Sequence, residues 1–174
     1  MQHCLVTGGI RSGKSALAER LVAASAGPVC YIATARSGDG EMAERIHLHQ
    51  QRRPSTWALV EEPRALGTAL DNLAAVDAPT LLVDCMSLWL GQMLGEDDET
   101  AWPSERDAFL AALARYPGRA VIVSNEVGLG IIGMDPLTRR FADELGWLNQ
   151  SLAERCDTVV MAVAGLPHVL KGET

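Results

Sequence analysis

No stretch of this 174-residue chain approaches 18 consecutive apolar residues, so no segment is expected to span a membrane. None of its four cysteines (Cys4, Cys30, Cys85, Cys156) stands in a C-x-x-C pair. That excludes the usual zinc and redox spacings and leaves buried thiols in a reducing compartment. Net positive charge is missing as well: the formal charge is −7, and without a basic face to neutralise a phosphate backbone a nucleic-acid partner is not expected. There is no internal repeat, linker or low-complexity tract, and the chain reads as a single domain over residues 1–174. The first strand pattern begins within three residues of Met1, which leaves no room for a signal peptide, so the expected location is cytoplasmic. Lysine is the scarcest cation: Lys14 and Lys171 stand against thirteen arginines.

What is present begins with that first lysine. An apolar run, Cys4-Leu5-Val6-Thr7, leads directly into Gly8-Gly9-Ile10-Arg11-Ser12-Gly13-Lys14-Ser15. The octapeptide fits the phosphate-binding pattern G-x-x-x-x-G-K-[ST], and it lies between a strand pattern and a helix pattern, as that motif requires. Glycines let the backbone wrap an anion so that successive N–H groups point at phosphate oxygens, and the following helix adds the positive end of its dipole. Lys14 would reach the β- and γ-phosphates as a compact ammonium, and the Ser15 hydroxyl would help to hold Mg²⁺. A nucleoside triphosphate site is expected here.

Hydrophobic residues make up 48% of the chain, enough to build a core. Short apolar runs alternate with longer amphipathic ones, the sign of a parallel sheet covered by helices. Strands are expected at Cys4–Thr7, Val29–Thr34, Leu81–Cys85, Ala120–Ser124 and Thr158–Val163, with weaker ones at Trp57–Glu61 and His168–Lys171. Helices are expected at Lys14–Ser25, Glu41–Arg53, Pro63–Leu73, Ser87–Leu94, Ser104–Tyr116 and Pro136–Arg155. Arg36–Gly40 and the acidic stretch Gly95–Pro103 read as loops. The fold class is α/β, a mostly parallel sheet of the P-loop NTPase, RecA-like type flanked by helices.

Two further strands end in polar residues. Thr80-Leu81-Leu82-Val83-Asp84 places a carboxylate where P-loop proteins hold Mg²⁺, directly or through water. Ala120-Val121-Ile122-Val123-Ser124 runs into Asn125-Glu126, which would face the ligand crevice at the carboxyl end of the sheet. These two residues suit either phosphate sensing and proton transfer or simple loop capping, and the general base of a kinase step stays open between Glu126, Asp84 and none.

The helix pattern Glu41–Arg53 carries the chain's most unusual grouping. At 100° per residue, Met42, Ile46, His49 and Arg53 share one stripe, with Arg45 at its border and Arg52 nearby. His47 falls on the far side with Glu44 and Gln51. A histidine among guanidinium groups is kept neutral by like charge, with a lone pair free to attack phosphorus, and the arginines suit incoming phosphates. The same position also suits a helix histidine satisfied by a carboxylate or carbonyl, which is the plainer reading of the geometry alone.

The phosphate loop, Tyr31-Ile32-Ala33-Thr34, Glu41-Met42-Ala43-Glu44-Arg45-Ile46 with His49 and Arg53-Pro54, Leu82-Val83-Asp84-Cys85, Ser124-Asn125-Glu126-Val127-Gly128-Leu129-Gly130, Leu148-Asn149-Gln150 and Val163-Ala164-Gly165-Leu166-Pro167 occur in one order along the whole chain. In that order the sequence resembles the bifunctional adenosylcobinamide kinase/adenosylcobinamide-phosphate guanylyltransferase family of cobalamin biosynthesis. The resemblance implies phosphorylation of the corrinoid's aminopropanol hydroxyl by ATP or GTP. It then implies transfer of GMP from GTP, through a guanylylated histidine matching His49, to give adenosyl-GDP-cobinamide. Besides Gly8 to Ser15, it places nucleotide contacts on Thr34, Ala35, Arg36, Gln50, Gln51, Arg52, Arg53, Glu61 and Asp84, with Lys14 catalytic beside His49. It also implies a homotrimer that binds corrinoid between subunits. Met134-Asp135 departs from a segment that often reads Pro-Glu-Asn in that family. A plain P-loop small-molecule kinase and a nucleotide-driven switch module are the competing readings.

Overall fold

The computed structural model describes residues 3–35, 54–96, 98–131 and 133–173. The helix expected at Glu41–Arg53, with His47 and His49, therefore lies outside the described residues, as do Arg36 and Gln50 to Arg53. In chain order the elements are β1 (Cys4–Gly8), α1 (Lys14–Ala23), β2 (Val29–Ala33), β3 (Ala58–Glu61), α2 (Leu66–Ala74) and β4 (Thr80–Asp84). They continue with α3 (Met86–Leu94), α4 (Ala101–Arg115), β5 (Ala120–Val123), α5 (Pro136–Arg155), β6 (Thr158–Val163) and β7 (Leu166–Lys171).

The seven strands form one sheet in the order β3-β2-β4-β5-β1-β6-β7. Every pairing is parallel except β6 with β7, which closes the sheet with an antiparallel hairpin. Strand side chains alternate between faces, and the core divides accordingly. Leu5, Ile32, Leu81, Val83 and Ile122 pack under α2, α3, α4 and α5, whereas Cys4, Val6, Tyr31, Leu82 and Val123 pack under Leu17, Ala18 and Val22 of α1. The few aromatics concentrate on the first face, where Trp89 meets Trp102 and Phe109 edge-on at 5.1 and 5.3 Å, and the buried Trp89 indole N–H donates to the Arg64 carbonyl. Gly67 lets α2 lie against α4: a Cβ there would stand 2.8 Å from the Ala108 carbonyl carbon.

Several boundaries shift for local reasons. α2 starts at Leu66 rather than Pro63 because the Glu62 carboxylate accepts from the amides of Arg64 and Ala65 and holds them in a turn. α4 starts at Ala101, inside the expected loop Gly95–Pro103, because Pro103 is tolerated in a first turn and the Asp98 carboxylate accepts from the Thr100 amide. α1 stops at Ala23, short of Ser25. Cys85 falls outside β4 and instead takes the N-cap position of α3. β7 begins at Leu166 because Ala164 and Gly165, both at positive φ (51° and 81°), turn the chain tightly back from β6. α5 keeps its expected bounds. Asp135, within the segment that departs from the resembled family, still caps it through the Thr138 amide at 2.8 Å.

Candidate active site

The parallel strands point their carboxyl ends the same way, and the register aligns Glu61, Ala33, Asp84, Val123 and Val6 in one row across β3, β2, β4, β5 and β1. Two residues beyond Val6 the chain leaves the sheet at Gly8 and enters the loop Gly8–Ser15, which the fold places at the ligand-binding edge. Backbone conformation explains the loop's composition. Gly8 (φ 152°) has no space for a side chain, since a Cβ would lie 2.6 Å from the Ala162 carbonyl oxygen. Gly13 (φ 91°) is left-handed and backs onto Gly165, whose Cα would stand 3.0 Å from its Cβ. Arg11 also adopts positive φ, and Ile10 projects outward, 83% exposed.

Gly13 serves as the N-cap of α1 and offers no side-chain hydrogen bond, and no acid occupies the first turn. The first amides of α1 are thus left to an anion, and the Lys14 ammonium folds back onto the Gly9 carbonyl at 3.1 Å. Gly9, Ser12 and Ser15 complete the loop, with the Ser12 amide donating to the Gly9 carbonyl.

β4 delivers Asp84 to the same edge, and β5 lies between it and β1. Thr34, just past β2, is fully buried, and its hydroxyl donates to the Cys85 carbonyl (2.8 Å) while accepting from the Cys85 amide (2.9 Å). Its own amide donates to the Asp84 carbonyl. Thr34 thus ties β2 to the chain leaving β4. Ala35 follows it, and Glu61 ends β3 as an exposed carboxylate beside Ala33. The Cys85 thiol is pushed up to about 11 by burial first and by neighbouring Asp84 second, which makes it inert rather than nucleophilic.

A polar network, whose residues the motifs contain but whose connections they do not show, lies behind the loop. Asn149 of α5 is buried among Leu145, Leu148 and Leu152, a lone amide on an apolar stripe. That interruption of the stripe is the sequence signal that could have found it. It accepts from the Ser124 hydroxyl at 2.5 Å and donates both to the Asn125 carbonyl and to Glu126 Oε1. Thr7 donates to the same Glu126 oxygen at 2.8 Å, and the Glu126 amide donates to the Gly8 carbonyl.

Against this geometry the comparisons are decisive. The model of the family described as "Cobinamide kinase / cobinamide phosphate guanyltransferase" matches residues 4–170. The chain belongs to that family. It is 53% identical over 169 residues to the Pseudomonas aeruginosa "Bifunctional adenosylcobalamin biosynthesis protein CobP", covering 97% of each chain. It is 40% identical over 181 residues to CobU of Salmonella typhimurium, covering 96% of this chain and 98% of that one. Among solved structures, the RadB recombinase superposes with a TM-score of 0.53 at 18% identity, covering 92% of this chain and 73% of that one. At that identity the likeness shows the fold alone, a P-loop NTPase-type sheet. In this cobinamide kinase/guanyltransferase family member, the described residues bring Gly8 to Ser15, Thr34, Glu61 and Asp84 together along one edge of the sheet, the candidate site. No described helix is long and apolar enough to cross a membrane.

Proposed function

We propose that this chain phosphorylates adenosylcobinamide with ATP or GTP and then transfers GMP from GTP to the phosphorylated corrinoid through a covalent intermediate on His49. Family membership over residues 4–170 carries the reading, and the glycine-built loop with its uncapped helix supports it. The loop amides and Lys14 bind the triphosphate, and the positive end of α1 concentrates charge at the transferring group. Ser15 and Asp84 would hold Mg²⁺. Their hydroxyl and carboxylate are hard oxygen donors, and the described residues contain no group of three acidic, histidine or cysteine side chains that would cage a metal alone. Mg²⁺ taken up with nucleotide in this way would neutralise charge developing on the β- and γ-phosphates. Glu61 and Ala35 border the nucleotide on the β3 side of the crevice, and Arg36, Gln50, Gln51, Arg52 and Arg53 complete its contacts.

The location proposed is the cytoplasm, where the four buried cysteines remain free thiols. The assembly proposed is a homotrimer with corrinoid bound between subunits, and the exposed apolar residues Leu166, Val169 and Leu170 on edge strand β7 offer a surface for such packing.

Two labels test the function. γ-Labelled nucleotide should pass phosphate to adenosylcobinamide, and α-labelled GTP should leave an acid-labile, alkali-stable adduct on the protein. Phosphorylation without an adduct would leave a plain P-loop kinase, and nucleotide hydrolysis that needs no corrinoid would leave a switch module.

A further inference from the structure

The network behind the phosphate loop carries more than packing. Glu126 stands just past β5, the strand between β1 with its phosphate loop and β4 with Asp84. Its amide is fixed to Gly8, the first residue of the loop, at 3.1 Å. Its Oε1 takes two donors, the Thr7 hydroxyl at 2.8 Å and the Asn149 amide at 3.1 Å, while Oε2 has no hydrogen-bond partner among the described residues. The carboxylate is therefore held by one oxygen and presents the other. Asn125 beside it carries an unmet need: its Nδ2 donates to the Ser87 hydroxyl, yet its buried Oδ1 meets no donor among the described residues. Buried acceptors are normally paired, so the unpaired Asn125 Oδ1, next to a Glu126 oxygen left accessible at the same edge, points to a donor that arrives with a substrate.

We propose that Glu126 is the general base of the kinase step, that Asn125 Oδ1 receives a polar hydrogen of the same acceptor substrate, and that Asn149 and Thr7 are positioning residues for the Glu126 carboxylate. The assignment rests on the kinase activity proposed above and names the residue that serves it. In the step, the acceptor hydroxyl oxygen forms a bond to the γ-phosphorus and the bond from that phosphorus to the β–γ bridging oxygen breaks. The nucleoside diphosphate leaves with the electron pair, and the hydroxyl proton passes to Glu126 Oε2. Asp84 lies two strands from β1, whereas Glu126 is bonded directly to the root of the loop, which favours Glu126 for this role.

Glu126→Gln preserves an oxygen for Thr7 and Asn149 and removes only the basicity. With adenosylcobinamide and γ-labelled ATP or GTP, it should lower kcat at least ~100-fold, leaving both KM values within about threefold. The same variant should form the α-labelled guanylyl adduct within about threefold of the wild-type rate, which also shows that it is folded and binds nucleotide. Thr7→Val should lower the phosphorylation kcat roughly tenfold, and Thr7→Ser should restore it, a rescue that only the hydroxyl explains. Wild-type kcat in Glu126→Gln would overturn the assignment. So would a raised nucleotide KM with the adduct lost in parallel, because Glu126 would then merely brace the loop. A wild-type chain that phosphorylates no corrinoid would instead overturn the kinase reading, and this assignment with it.

Discussion

The Gly165 amide donates to the Ser12 carbonyl at 2.9 Å, so the turn joining β6 to β7 supports the phosphate loop from behind. The support is close enough to exclude a side chain at Gly13, whose Cβ would stand 3.0 Å from the Gly165 Cα. Gly165 itself has no atom of the described residues within 4 Å of where its Cβ would stand, but sits at φ 81°. Gly13→Ala should therefore cost about 1–2 kcal/mol from its left-handed backbone alone, with further displacement of the hairpin turn. Gly165→Asn, which tolerates that backbone, should change little, and Gly165→Val should raise the nucleotide KM. Nucleotide KM and melting temperature measured across the three variants check this, and equal behaviour of Asn and Val at 165 would refute it.

Lys14 and Asp84 should fail differently. Lys14 is the loop cation proposed to reach the β- and γ-phosphates, and Lys14→Ala should lower kcat for phosphorylation roughly 10²–10³-fold, as removal of a preorganised charge-stabilising donor does. Asp84→Asn should instead raise the Mg²⁺ concentration required for half-maximal rate. A Mg²⁺ titration of both variants separates the roles, and an unaltered metal requirement in Asp84→Asn would remove Asp84 from the metal site.

The loop and its neighbours were legible because their chemistry is local. Gly8 to Ser15 carry the glycines that a tight strand-to-helix loop needs, and the loop lies between β1 and α1 as expected, while the apolar runs around Leu5, Leu82 and Ile122 had to be buried on both faces. Other features depend on partners distant in the chain. Nothing near Thr34 announces that its hydroxyl will be taken by Cys85, 51 residues away, so sequence reading could place it near nucleotide without seeing what it holds. Pro103 looked like the end of a loop because proline more often breaks helices than begins them, yet it lies in the first turn of α4. Asn149 was part of a recognisable motif without a role until Ser124 and Glu126 were brought beside it.

Away from the candidate site, Gly67 marks a close contact between α2 and α4. A methyl group there would meet backbone atoms of Ala108 at 2.8 and 2.9 Å, and backbone cannot rotate aside. Gly67→Ala should destabilise the fold by about 1–3 kcal/mol through overpacking, with kcat of the folded fraction unchanged. Denaturant unfolding with activity measured in parallel tests this, and an unchanged midpoint would show that α2 can slide on α4.

His3 gives the stability a dependence on pH. The ring is buried, takes the Ala120 amide on Nδ1 at 3.3 Å and has the Leu113 carbonyl 3.1 Å from Nε2, which fixes a neutral ring with its proton on Nε2. Burial pulls it below the ordinary value of 6.5, against the opposing pull of the Leu113 carbonyl and the Asp157 charge. The unfolded chain therefore binds a proton before the folded one does. His3's contribution to stability is complete above pH 6.5 and is lost as pH falls from there through the lowered folded value. Melting temperature should decline across that window in the wild type and decline less in His3→Gln. Parallel declines would exclude His3 as the cause.

The sharpest separation of the two proposed activities falls on a pair of histidines outside the described residues. Phosphoryl transfer to a hydroxyl requires positioning and charge neutralisation, whereas guanylyl transfer through an enzyme intermediate requires a nucleophile that becomes a phosphoramidate. His49→Ala should therefore abolish the α-labelled adduct and the GDP-corrinoid product while keeping at least part of the corrinoid phosphorylation. His47, two positions away, is turned about 200° from His49 on a regular helix, and His47→Ala should leave both reactions nearly intact. Peptide mapping of the wild-type adduct should place the label on His49. Label on His47 would mean that the segment is not a regular helix in this register. If the adduct survived in His49→Ala, the assigned nucleophile would be wrong even though the transferase activity stood.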